Sequence, residues 1–270
     1  MQTLIIPQIN TGKEPSDIKW NKQMRYRILD YIRGLNFISM VLYHAAWDLV
    51  NLYERDWAWY ESGFSYFWQQ TICWIFILLS GFCWSMGKKK LKRGLLVLGA
   101  SALVSLVTCV FLPDERIVFG VLTLLGFSML VMIPLEALLR RIPSVIGCIV
   151  SFGCFFLFRN VNEGSLGFEA LTFGKLPDHM YQNMLTAFWG FPDRGFFSTD
   201  YFTPVPWFFL FVTGYFLFRI LKEHKKLRIL SGKHELKAIS FLGRHSLILY
   251  LLHQPVIYVV LLLGSQIFLR

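Results

Sequence analysis

The chain has 270 residues, of which 55% are hydrophobic and 17% aromatic. Its mean hydropathy of +0.48 is too high for an ordinary soluble domain. A net charge of +10 would suggest nucleic acid in a soluble protein, but here the basic residues are grouped in the short loops between long apolar runs. The pattern predicts an all-α, polytopic helical membrane protein with membrane lipid around it and no nucleic-acid partner.

Seven spans are expected, at 28–52, 64–86, 94–112, 117–139, 142–158, 204–221 and 239–265. Lys13, Lys19, Lys22, Arg25 and Arg27 precede the first span, and Lys88, Lys89, Lys90, Lys92 and Arg93 follow the second. Arg140 and Arg141 follow the fourth, and seven Lys/Arg lie between Arg219 and Lys237. The alternate loops carry Glu54, Asp56 and Glu61, and then Asp114 and Glu115. By the positive-inside rule the N-terminus is cytoplasmic, the C-terminus extracytoplasmic, and the protein a multi-pass component of the cell membrane. Residues 1–27 read as a cytoplasmic segment without the apolar core of a cleavable signal, and 28–270 as one transmembrane domain.

The first span carries a polar stripe. Asp30, Arg33, His44, Asp48 and Asn51 fall on one narrow face at about 100° per residue. Ionisable groups at membrane depth are costly and mark functional sites. His44 and Asp48 are i and i+4, so a carboxylate–imidazole contact is within reach. Such a contact would fix the tautomer and leave the other nitrogen as a general base. A structural hydrogen bond tying helices together is the plainer alternative. Asp30 and Arg33 are i and i+3: either an interfacial ion pair or an arginine turned inward to meet an anion.

Between spans five and six lies the outer segment 159–203, rich in Gly, Pro, Asp and aromatics. It is expected to cap the outer mouth of the bundle, with a short re-entrant or interfacial helix near 181–191. Its Asp193, Arg194, Ser198, Thr199, Asp200 and Tyr201 combine carboxylates and aromatic rings, as sugar-binding surfaces do and as solvated loops also do. In the last span Ser246, Tyr250 and His253 share one face, Arg244 and His245 stand at its start, and Pro255 is expected to kink it. Cys73, Cys83, Cys109, Cys148 and Cys154 all sit in apolar runs and read as small packing residues. Neither a nucleotide-binding loop nor metal-ligand spacing is present, so no metal is expected.

Four blocks carry a family likeness: RYRILDYIRGLNFISMVLYHAAWDL, FGVLTLLGFS, GFFSTDYFTPVPWFFLFVTGYF and LGRHSLILYLLHQPV. In order and spacing they resemble the transmembrane acyltransferases, and more widely the short bacterial relatives of heparan-alpha-glucosaminide N-acetyltransferase. The resemblance implies transfer of an acyl group, typically acetyl, from cytoplasmic acyl-coenzyme A to a sugar amine or hydroxyl, or another small acceptor, on the far side. It implies His44 as the catalytic base, supported by Asp48. Arg33, Asp30, Arg244, His245, Ser246, Tyr250 and His253 would then hold acyl-CoA, and Asp193, Arg194, Ser198 and Asp200 the acceptor. A homodimer is compatible with this. The rival is a proton-coupled transporter using the same stripe as a relay, which would call for paired broken helices and internal pseudo-symmetry.

Overall fold

The computed structural model describes residues 26–231 and 236–268. The basic segment 1–25, Lys233 of the last basic loop and the final two residues lie outside the described residues. Seven long helices coincide with the seven expected spans. They are α1 (Arg27–Asn51), α2 (Gly63–Trp84), α3 (Lys90–Phe111), α4 (Val121–Leu139), α5 (Ser144–Leu157), α7 (Pro204–Glu223) and α9 (Ser246–Phe268). Between them lie β1 (Ser165–Phe168), β2 (Leu171–Lys175), α6 (Met184–Trp189) and α8 (Lys237–Arg244). The chain is a helical membrane protein. Five of the helices (α2, α3, α4, α7 and α9) are long and apolar enough to cross a membrane on length and composition alone. α1 fills the role of a span with a polar face, and α5 is apolar but only 14 residues long.

α7 is the centre of the bundle and packs against α2, α5 and α4. Its Leu210, Phe211, Tyr215 and Phe216 are buried together with Ile77 and Trp84 of α2, Leu124 and Met132 of α4, and Phe155 of α5. The α2–α7 contact is a backbone contact. A Cβ at Gly81 would lie 1.9 Å from the Phe211 carbonyl oxygen, and one at Gly214 would lie 2.1 Å from that of Leu78. Small residues at helix interfaces do this in membranes, where apolar side chains gain nothing by leaving lipid. α3, α5 and α9 present Leu96, Leu106, Ile149, Val150 and Val260 outward. An apolar surface of that extent suits a lipid environment and not water.

The last expected span departs from the reading of 239–265 as one element. Helix α8 ends at His245, whose φ of −102° and ψ of 18° lie outside the helical pair, and α9 starts at Ser246. The short α8 lies on α1, and the approach again needs glycine: a Cβ at Gly34 would sit 2.0 Å from the Ile239 carbonyl oxygen and one at Gly243 1.8 Å from that of Asp30.

The outer segment is not a featureless loop. β1 and β2 form an antiparallel hairpin. Asn160 holds it, donating to the Glu169 carbonyl at 2.8 Å and accepting from the Glu169 N–H at 2.8 Å. Within the window expected to be helical, only Met184–Trp189 is an α-helix, opened by a capping box between Asn183 and Thr186. The end of the segment is fastened to the α3–α4 turn, with the Phe202 N–H donating to the Phe119 carbonyl at 2.9 Å and the Thr199 N–H to that of Arg116 at 3.1 Å.

Gly214→Leu should unfold at a lower temperature than the parent in detergent, by an amount equivalent to about 1–3 kcal/mol of overpacking. Gly99→Ala, whose Cβ would meet nothing within 4 Å, is the matched control and should unfold like the parent.

Candidate active site

The polar stripe of α1 faces protein. Asp30 and Asp48 are 8% and 0% exposed, and α8 and α9 cover this side of the helix. Asp30 stands between two guanidinium groups, 3.8 Å from Arg33 on its own helix and 3.8 Å from Arg244 at the end of α8. The Gly34 and Gly243 contacts bring those helices close enough for Arg244 to reach. Asn51 is exposed and returns its amide to the Trp47 carbonyl of its own helix.

Beside the stripe is a cavity of about 110 Å³. Arg33, Asn36, Tyr43 and His44 line it from α1, Gln69, Cys73 and Phe76 from α2, and Ser246 and Tyr250 from α9. Val121, Thr199, Asp200 and Phe202 line it from the hairpin end. Arg33 and His44 are eleven residues apart on α1, about 16 Å along the axis. The cavity therefore joins a cation at one end of the bundle to an imidazole and a carboxylate toward the other. Its walls are held by cross-helix bonds. The Asn36 amide donates to the Ile72 carbonyl at 3.1 Å, and the Trp68 indole donates to the Ser39 hydroxyl at 2.7 Å. Phe76 stacks on Tyr250 at 6.0 Å with nearly parallel rings.

His44 and Asp48 do not hydrogen-bond to one another, contrary to what their spacing suggested. Asp48 accepts instead from the Gln254 amide of α9 at 2.7 Å. The i,i+4 relation permits contact but does not enforce it, and a donor on the facing helix lets a buried carboxylate turn out of its own helix. The ring of His44 packs edge-on against that of His253, centroids 4.8 Å apart. His253 is itself fixed by a hydrogen bond between its Nδ1 and the Tyr250 carbonyl.

The remaining candidates divide. Asp200 lines the cavity and accepts from the Val121 N–H at 3.0 Å, capping the start of α4. Burial raises its carboxyl to about 6, partly offset by that backbone bond. Ser198 lies outside the lining; its hydroxyl accepts from the Val118 N–H at 2.9 Å and donates to the Asp200 carbonyl at 2.9 Å, which makes it a brace for Asp200. His245 sits at the α8–α9 break with its ring 4.3 Å from that of Phe241 and does not line the cavity. Asp193 and the exposed Arg194 also lie outside the lining. The cavity includes two polar residues that the stripe did not single out, Asn36 and Gln69. Asn36 stands about 60° from Arg33 and about 90° from the stripe centre, so only a much wider arc would have caught it. Gln254 was readable as a polar residue inside an apolar span, next to His253.

The model of the heparan-alpha-glucosaminide N-acetyltransferase catalytic family matches residues 25–255. The chain belongs to this family. The match covers α1 through the middle of α9, and with it every cavity-lining side chain. Membership makes the protein a member of a membrane acetyltransferase family. No curated protein and no solved structure matches the chain.

The raised carboxyl of Asp200 has a signed consequence. Relative to an ordinary aspartate near 3.8, a carboxyl at about 6 favours the folded state while it is protonated. That contribution is complete below the ordinary value and is lost as pH rises through about 6. The unfolding midpoint should therefore fall between about pH 4 and 6 and level off above that range. Asp200→Asn, which keeps an acceptor for the Val121 N–H, should flatten that part of the profile.

Proposed function

We propose that the protein transfers an acetyl group from acetyl-CoA, presented at the Arg33 end of the bundle, to an amine or hydroxyl acceptor arriving from the hairpin end. The observation that carries this reading is the single cavity with Arg33 at one end and His44 and Asp200 toward the other, in a chain of this family. The distribution of basic loops makes the Arg33 end cytoplasmic. In this reading 28–270 forms one transmembrane domain, and its segment 159–203 faces the acceptor's side. A cavity of about 110 Å³ accommodates a thin acyl-thioester arm, while the nucleotide part of the coenzyme stays outside.

Arg33, with Arg244 held near it through Asp30, supplies positive charge where an anionic coenzyme enters. Ser246 and Tyr250 present hydroxyls along the arm. His44 takes a proton from the acceptor nucleophile as it attacks the thioester carbonyl carbon. The carbon–sulfur bond breaks, and the departing thiolate takes the proton back from the imidazolium, so the base is regenerated. In this scheme the ring of His44 rests against that of His253 and makes no hydrogen bond to Asp48. Asp200 and Thr199 sit where acceptor hydroxyls or an ammonium group would be met.

Purified protein supplied with labelled acetyl-CoA and an amino-sugar acceptor should transfer label. His44→Ala should lower the rate by about 10²–10⁴, with coenzyme binding and the unfolding profile kept. Transfer at the parent rate by His44→Ala would exclude this histidine as the base. Arg33→Gln should mainly raise KM for acetyl-CoA.

A further inference from the structure

Three buried polar atoms at the seam of α1 and α9 have no hydrogen-bond partner among the described residues: Asp48 Oδ2, Gln254 Oε1 and His253 Nε2. Two belong to one pair of side chains. The Gln254 amide nitrogen donates to Asp48 Oδ1 at 2.7 Å. This bond turns the nitrogen end of the amide toward the carboxylate and leaves Gln254 Oε1 and Asp48 Oδ2 without partners. Both are acceptors, and Asp48 is completely buried. An ionised carboxylate cannot satisfy that arrangement. A neutral carboxylic acid satisfies it, because an acid and an amide form a ring with two hydrogen bonds: amide N–H to carboxyl oxygen, and carboxyl O–H to amide oxygen.

Among the described residues no side chain offers Asp48 a counter-charge. On its own helix the nearest titratable group is His44, one turn back. α9 contributes Gln254 and His253, and the α1–α2 loop contributes Tyr60. Among the described residues Asp48 is in no ion pair. A lone carboxylate desolvated at membrane depth costs several kcal/mol or more, whereas the neutral acid costs far less.

We propose that Asp48 and Gln254 form a proton-binding site. Asp48 is held as the neutral acid at neutral pH and closed on Gln254 by two hydrogen bonds that clamp α9 to α1. The bound proton is what makes the clamp two-pronged. Binding it forms one O–H bond on Asp48 Oδ2 and one hydrogen bond to Gln254 Oε1, with no other group changing state. Because the two histidines sit one turn before Asp48 and one residue before Gln254, the clamp also sets the ring contact between His44 and His253. Asp48 is then a positioning residue and not the counter-ion of an imidazolium.

The test needs no substrate, so its outcome is independent of the acetyl-transfer reading. Infrared spectra of the full chain in detergent at pH 7 should contain a neutral-carboxyl C=O band that shifts in D₂O and is missing in Asp48→Asn. Unfolding midpoints supply the second arm. Asp48→Asn forms an amide–amide pair with the same two bonds and should unfold within about 1 °C of the parent. Asp48→Leu and Gln254→Leu should each fall by about 2–4 °C or more, with the double variant less destabilised than the sum. Identical carboxyl spectra for parent and Asp48→Asn would overturn the proposal. So would a clear rise in midpoint for Asp48→Asn, which is the signature of removing a buried charge.

Discussion

The structure depends on how α1 is covered. A helix bearing Asp30, Arg33, His44 and Asp48 cannot face lipid over its whole circumference, because each ionised group would lose its hydration without replacement. α8 and α9 supply the replacement. Arg244 meets Asp30 near one end, Gln254 meets Asp48 toward the other, and His253 lies on His44 between them. The backbone approach at Gly34 and Gly243 is part of the same solution, since a bulkier residue at either position would hold α8 off and take Arg244 away from its carboxylate. What remains uncovered on α1 becomes one wall of the cavity.

The rest of the bundle can be read as support for that wall. α7 packs α2 and α5 into a dense aromatic core. α2 in turn presents Ile72, Cys73 and Phe76 to the cavity. At the hairpin end, Asp200 fastens the outer segment to the start of α4 and closes the cavity with a carboxylate. A side chain that both caps a helix and lines the cavity couples the order of the outer segment to the site. The charge pattern along the cavity, cationic at the Arg33 end and acidic toward Asp200, matches an anionic donor and a polar acceptor approaching from opposite sides.

Much of this was legible in the sequence. Run length placed the first six of the long helices within a few residues and the body of the seventh, because bilayer thickness limits span length. The 3.6-residue period put Asp30, Arg33, His44 and Asp48 on one covered face. What it could not supply was the partner of each group. Asp48 was assigned to His44 by spacing within one helix, whereas a donor on another helix, 206 residues away, decides its direction. The break at His245 falls in the polar run Gly243–Ser246, which the span reading carried through because apolar residues flank it on both sides. The hairpin in the outer segment was missed because its strands are four and five residues long. Of the outer polar residues grouped by proximity in sequence, Asp200 lines the cavity, whereas Asp193 and Arg194 lie outside its lining.

In the proposed reaction one cavity brings a thioester to His44 from the Arg33 end. An experimental structure of the protein with a non-transferable acetyl-CoA analogue tests this. The phosphates should lie outside the bundle at the Arg33–Arg244 end, the pantetheine arm in the cavity, and the carbonyl carbon within reach of the His44 ring. An analogue bound with its carbonyl remote from His44, or entering from the hairpin end, would contradict it.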